Sequence, residues 1–221
     1  MKRRVLVCAL ALAGWLRGTA QAADAGDFFR AIMQDNEGAM RRLLEGGIDP
    51  NLKNEKGVPG LNLALSEDSL KVVRVLLASP RLKAEQRSSA DESPLMLAAL
   101  KGHLDIARRL IELDADVNKP GWTALHYAAT HGHLAVMALL LEHYAFIDAQ
   151  APNGNTPLMM AAYYGTPEAV KLLIEAGADL RLRNHAGLTA LDLAQRGERA
   201  NAAQLLIEGL RRSQGVPRGQ W

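Results

Sequence analysis

The side chains best placed to bind a metal or move a proton are the chain's six histidines. Three of them, His126, His131 and His133, fall in one short stretch, and a metal centre needs about three convergent protein ligands. That neighbourhood sets out one reading, a metal-dependent enzyme, which elemental analysis of the purified protein would test. His143 and His185 lie too far off to join it. Other chemistry is hard to find. There is one cysteine, Cys8, and no nucleophile elbow, phosphate loop, HExxH or CxxC motif occurs. No carboxylate or lysine pair stands out from the charges expected on solvated helix faces. No catalytic residue and no cofactor are therefore expected.

The elements that carry these histidines recur. Ser93-Pro94-Leu95-Met96-Leu97-Ala98-Ala99 leads to Gly102-His103, Leu110-Ile111 and Ala115-Asp116-Val117-Asn118. Thr123-Ala124-Leu125-His126-Tyr127-Ala128-Ala129 leads to Gly132-His133 and Leu140-Leu141, and Thr156 to Ala162 leads to Gly165, Leu173-Ile174 and Gly177-Ala178-Asp179. Thr189-Ala190-Leu191 opens another copy. Two weaker ones precede, from Gly26 and from Pro59. The equivalent positions 26, 59, 93, 123, 156 and 189 are spaced by 33, 34, 30, 33 and 33 residues. Leu158, Ala161 and Ala162 make a short first helix with a small-residue face, and Val170, Leu173 and Ile174 give a second helix its apolar stripe. Gly165 is expected to end the first helix with a left-handed backbone. Asp148 to Gly154 reads as an exposed turn.

This pattern resembles the ankyrin repeat, with a period of about 33 residues and a Thr-Pro-Leu-His-x-Ala signature. The resemblance spans Gly26 to about Leu210. It implies an all-α fold, a solenoid of six stacked helix–turn–helix repeats with short β-hairpin-like fingers, each pair burying its faces on its neighbours. It also gives His103, His126 and His133 a structural role in turn and inter-repeat hydrogen bonds. The first and last copies are atypical, as end caps with one solvated face should be. Pro80 stands where a glycine is usual, and the fourth copy arrives early, so a shortened hairpin is expected over Asn118 to Trp122.

With 221 residues, 48% hydrophobic, 23% charged and 5% aromatic, the chain has enough apolar content for a core and is no disordered, collagen-like or disulfide-dense protein. A formal charge of +2 gives no reason to expect a nucleic-acid partner. Lys2-Arg3-Arg4, the apolar run Val5 to Leu16 and Ala20-Gln21-Ala22 describe a signal peptide over 1–22, cut after Ala22. The run is shorter than the ~20 residues of a membrane-spanning helix, and Val7 before Cys8 does not suit a lipoprotein. Cleavage would remove Lys2, Arg3, Arg4, Arg17 and the cysteine, turning the net charge from +2 to −2. A thiol-free chain suits an oxidising compartment. The expectations are a periplasmic protein, with secretion as the alternative, no membrane insertion after cleavage, a repeat domain over 23–210, and a flexible basic tail over 211–221.

Ankyrin partners, by this resemblance, lie along the concave side, touching fingertips and the exposed ends of first helices. The matching positions single out Leu100 and Lys101, Thr130 and His131, Tyr163 and Tyr164, and Arg196, with Trp122 and Asn155 from the fingers. Aromatics there could dominate affinity; alternatively, Trp122 covers the shortened finger and the tyrosines pack on neighbouring repeats. The function expected is protein binding by a monomeric adaptor. An immunity factor that neutralises a periplasm-acting toxin is the alternative.

Overall fold

The computed structural model describes residues 25–215, with side chains to 213. The expected signal peptide and its cleavage point fall in 1–24, and with 216–221 lie outside the described residues. The described chain is all-helical and divides into two compact units, 25–92 and 93–215.

The first unit holds α1 (25–33), α2 (Glu37–Glu45), α3 (Gly60–Ser66) and α4 (Leu70–Leu77). Its core is Phe28, Ile32, Met40, Leu61, Leu65, Val72 and Leu76, all fully buried. Phe28 sits where leucine is usual, and the chain makes room for it with Gly60, where a Cβ would lie 2.5 Å from the ring. Pro80 lies in the loop after α4. The neighbouring Arg81 donates to the carbonyls of Leu44, Gly47 and Ile48 at 3.1, 3.1 and 2.8 Å, satisfying the groups left open after α2.

The second unit holds four pairs: α5 (Pro94–Lys101) with α6 (Leu104–Glu112), α7 (Ala124–His131) with α8 (Leu134–Glu142), α9 (Pro157–Tyr163) with α10 (Pro167–Glu175), and α11 (Ala190–Arg196) with α12 (Ala200–Gly215). Each first helix starts at a hydroxyl cap. Ser93, Thr156 and Thr189 accept the third-residue amides of Met96, Met159 and Asp192 at 3.2, 3.3 and 3.2 Å, each worth about 1 kcal/mol. Pro94 and Pro157 occupy the first helical position, where the missing amide costs nothing. The paired alanines Ala98–Ala99, Ala128–Ala129 and Ala161–Ala162 are buried, so α5, α7 and α9 pack closely against one another.

The second helices α6, α8 and α10 end in a common way. The residue after the C-cap turns left-handed and the next amide reaches back five residues, as in Ala115 N to Leu110 O, Ala145 N to Leu140 O and Ala178 N to Leu173 O. The left-handed residues are Asp114, Tyr144 and Gly177. Among first helices, α5 and α7 end at Gly102 and Gly132, with φ of 74° and 71°.

Gly165 differs from the expectation. It is absent from the left-handed set, and α9 is capped by Tyr164 in right-handed geometry. Space, not backbone angle, requires glycine there: a Cβ would lie 2.4 Å from the Ala129 carbonyl and 2.9 Å from Ala161 Cα. The last helix, α12, runs past the expected boundary at 210 to Gly215. Arg212 pairs with Glu208 at 3.9 Å and Ser213 accepts from Arg181 at 3.2 Å, which carries the helix into the segment expected to be flexible.

The fingers are turns. Among the described residues no strand forms, and the isolated bridge is Lys53 to Pro59. Four turns share one pattern, in which an amide donates to the carbonyl four residues on: Asn54 to Val58, Ser88 to Glu92, Ala151 to Asn155 and Asn184 to Leu188. The short segment Asn118–Trp122 is held differently. Lys119, 2% exposed, turns its ammonium onto the carbonyls of Pro120 and Trp122 at 2.9 and 3.2 Å. A side-chain cation there does the work that the backbone turn does elsewhere.

Candidate partner-binding site

The sites at issue belong to the second unit, where α5, α7, α9 and α11 lie side by side. His126 is the joint between two repeats. Its Nδ1 accepts from Thr123 N at 3.2 Å and lies 2.9 Å from Thr123 Oγ1, and its Nε2 stands 3.0 Å from Asn155 O. An amide can only donate and a carbonyl only accept, so the ring is neutral with its proton on Nε2. Burial pushes its pKa down to about 4 against the opposing pull of the Asn155 carbonyl. Both nitrogens are engaged, so His126 has no lone pair to offer a metal. His131 stacks instead on His133 with ring centres 5.8 Å apart, and His133 Nε2 stands 3.0 Å from the Leu100 carbonyl. Among the described residues no group of three His, Cys, Asp or Glu has the arrangement to hold a metal ion.

Trp122 leans edge-on against His126 and Tyr127, with ring centres 5.3 and 6.3 Å apart. Around it Leu100, Tyr127, Thr130 and Met160, with His126 at the base, line a cleft of about 190 Å³. Thr130 Oγ1 donates to His126 O at 2.8 Å, which ties that hydroxyl to its own helix. Three consecutive repeats thus build one largely apolar depression.

Of the residues expected to bind a partner, Leu100, Trp122 and Thr130 come together in this cleft. Lys101, His131, Tyr164 and Arg196 are exposed at the ends of successive first helices. Tyr163 is half-buried and meets Tyr164 edge-on at 4.5 Å. Asn155 serves the repeat contact: its carbonyl receives His126 and its Oδ1 accepts Asn184 Nδ2 at 2.8 Å. Tyr127 and Met160 are lining residues that the position-by-position reading missed. Tyr127 was legible, since it lies three residues before Thr130 and so on the same helix face. Met160 had no local signal, because it reaches the cleft from the next repeat.

The first helices carry few acids. Asp192 is held by the amide and hydroxyl of Thr189, both at 2.8 Å, which lower its pKa. The second helices carry Asp105, Glu112, Glu142, Glu168, Glu175 and Glu208. Lys101 and Arg196 are basic side chains in the last turns of α5 and α11.

Comparison with known proteins agrees with this architecture. Family models described as ankyrin repeats match residues 28–119, 81–151 and 140–194. Among curated relatives, the ankyrin repeat and SAM domain-containing protein 6 of Mus musculus is 38% identical over 138 residues, 60% of this chain and 14% of that protein. A probable E3 ubiquitin-protein ligase of Oryza sativa is 37% identical over 118 residues, 52% of this chain and 23% of that protein. The chain thus spans less than a quarter of the length of either. Among solved structures, it resembles a chain from the Bdellovibrio bacteriovorus complex of a predatory endopeptidase with an immunity protein, with a TM-score of 0.71 and 29% identity, covering 82% of this chain and 97% of that one. An ankyrin repeat domain from Acinetobacter baumannii matches in fold, with a TM-score of 0.72, 23% identity, and coverage of 82% of this chain and 96% of that one. No described helix is long and apolar enough to cross a membrane. Ankyrin repeats are protein-interaction modules, typically without catalysis, and with family models matched from residue 28 to residue 194 this chain belongs to the ankyrin-repeat family.

Proposed function

We propose that this chain is an exported, non-catalytic binding module that seats a periplasmic protein partner on its first helices. The observation that carries the reading is the cleft of Leu100, Trp122, Tyr127, Thr130 and Met160. At about 190 Å³ it is smaller than the roughly 300–1,000 Å³ of small-molecule sites. It suits a single apolar side chain from a partner's loop. Export is supported by the basic head, the short apolar run and Ala20-Gln21-Ala22.

A second reading makes the partner a toxin that acts in the periplasm, with this chain as its immunity factor. What favours it is the likeness to the Bdellovibrio complex, which runs along nearly the whole of that chain.

Capture from periplasmic extract tests the site, using tagged mature protein beside a Leu100→Glu/Thr130→Glu variant matched in thermal stability. A partner held by the parent and reduced at least tenfold by the variant is the expected result. Equal capture by both would move the site elsewhere. Gene deletion then separates the readings: an immunity factor is needed for survival when its toxin is present, and an adaptor is not.

A further inference from the structure

Each finger is fastened at one main-chain carbonyl. In four fingers it belongs to Val58, Glu92, Asn155 and Leu188, and it accepts the amide four residues back. Glu92 and Asn155 also receive the third residue of the preceding first helix, Asn62 Nδ2 at 2.8 Å and His126 Nε2 at 3.0 Å. Trp122 holds this place in the short turn, where positions 93 and 123 are 30 residues apart and the other spacings are 33 or 34. Neither bond is open to it. The amide four residues back, Asn118 N, donates to Asp116 Oδ1 at 2.9 Å. The third residue of α5 is Met96, a thioether with no hydrogen to donate.

Lys119 takes the place of both. Its ammonium lies 3.2 Å from Trp122 O and 2.9 Å from Pro120 O, and the residue is 2% exposed. Withdrawing an ammonium from water is costly unless oxygens around it replace the lost hydration. Two carbonyls of its own turn do so, and the same bonds tie the main chain of Trp122. The Trp122 ring then stands edge-on to His126 and Tyr127 as one wall of the cleft. The charge also reaches the cleft's base: burial is the main reason that His126 stays neutral, and Lys119 adds to it.

On the reading that the cleft seats a partner, we propose that Lys119 is its positioning residue: the ammonium holds Trp122 as the wall against which the partner's side chain packs. Lys119 acts through Trp122 and not by contact of its own. The helix stack does not depend on it, because α5, α7 and α9 meet through buried alanines and other apolar side chains. Removing the ammonium therefore loosens Trp122 and leaves the helices in place. A loose wall binds more weakly than a fixed one, since it must be immobilised when the partner arrives.

Mature protein, residues 23–221, carrying Trp221→Phe has Trp122 as its one tryptophan, and in it Lys119→Met removes the ammonium at nearly the same side-chain length. The expected result is acrylamide quenching of Trp122 at least twofold stronger, with unchanged helical circular dichroism. The His126 imidazole resonances should titrate at higher pH, and partner capture from periplasmic extract should fall at least tenfold. Lys119→Arg, which keeps the charge and the donors, should quench and capture more like the parent than Lys119→Met does. Unchanged quenching in Lys119→Met, a His126 titration that does not move, loss of the helical signal, or Lys119→Arg no closer to the parent would each overturn the proposal. Quenching and titration need no partner. A parent that captures nothing would therefore count against the cleft as the partner site, while these two signals still decide what Lys119 holds.

Discussion

The same repeat position is solved differently in the two units. The third residue of a first helix is Asn62 in α3 and His126 in α7, and each reaches forward to a carbonyl in the following turn. Asn62 Nδ2 donates to Glu92 O at 2.8 Å, and His126 Nε2 stands 3.0 Å from Asn155 O. Backward they diverge. His126 receives the amide of Thr123, but the cap of α3 is Pro59, which has neither an amide hydrogen nor a hydroxyl. Asn62 Oδ1 is consequently buried with no hydrogen-bond partner. A buried unsatisfied acceptor costs about 1–3 kcal/mol. The forward bond can thus be kept by more than one residue type, while the backward bond depends on the cap.

The largest effect should come from breaking the satisfied side of this comparison. His126→Ala strands the Thr123 amide and the Asn155 carbonyl and opens a void beside Trp122. We expect a loss of about 3–4 kcal/mol, read from urea unfolding of the mature protein. His126→Gln, which can still donate forward and accept backward, should recover much of it. A smaller loss for alanine than for glutamine would show that the ring is not the joint.

Acid should act on the same group. With a folded pKa of about 4 against 6.5 in the unfolded chain, the unfolded state takes up a proton that the folded state refuses. The stability from neutral His126 is full above pH 6.5 and is lost as pH falls from 6.5 towards 4, up to about 3 kcal/mol. Unfolding free energies across that window should fall more steeply for the parent than for His126→Gln. Parallel curves would mean that the ring titrates normally.

The smallest change repairs the other side. Pro59→Thr gives Asn62 Oδ1 a donor, worth about 1–2 kcal/mol, offset in part by the freedom regained by the unfolded chain. A net gain of about 1 kcal/mol is expected, and it should vanish in an Asn62→Ala background. If the gain persists there, the orphaned oxygen is not its source.

Much of the fold was legible because repetition makes each local signal appear several times over. The Ser93, Thr156 and Thr189 caps, the paired alanines and the apolar stripes all work within a few residues. The glycines show where such reading stops. Gly102, Gly132 and Gly165 look alike in sequence, yet the first two are needed for a left-handed turn and Gly165 because the Ala129 carbonyl stands against it. The site was legible in position only. First-helix ends and finger residues could be numbered, but Met160 entered the cleft from the next repeat.

The sequence by itself determined the period, the helix pairs, the residue types allowed at their starts and the ankyrin-repeat fold, since these follow from caps, apolar spacing and small-residue faces. Tertiary structure decided which of the named residues meet. It placed Leu100 and Thr130 around one cleft with Met160 and joined His126 of one repeat to Asn155 of the next. The physical reason is that these outcomes depend on groups about thirty residues apart in the chain, brought together only when one repeat stacks on the next.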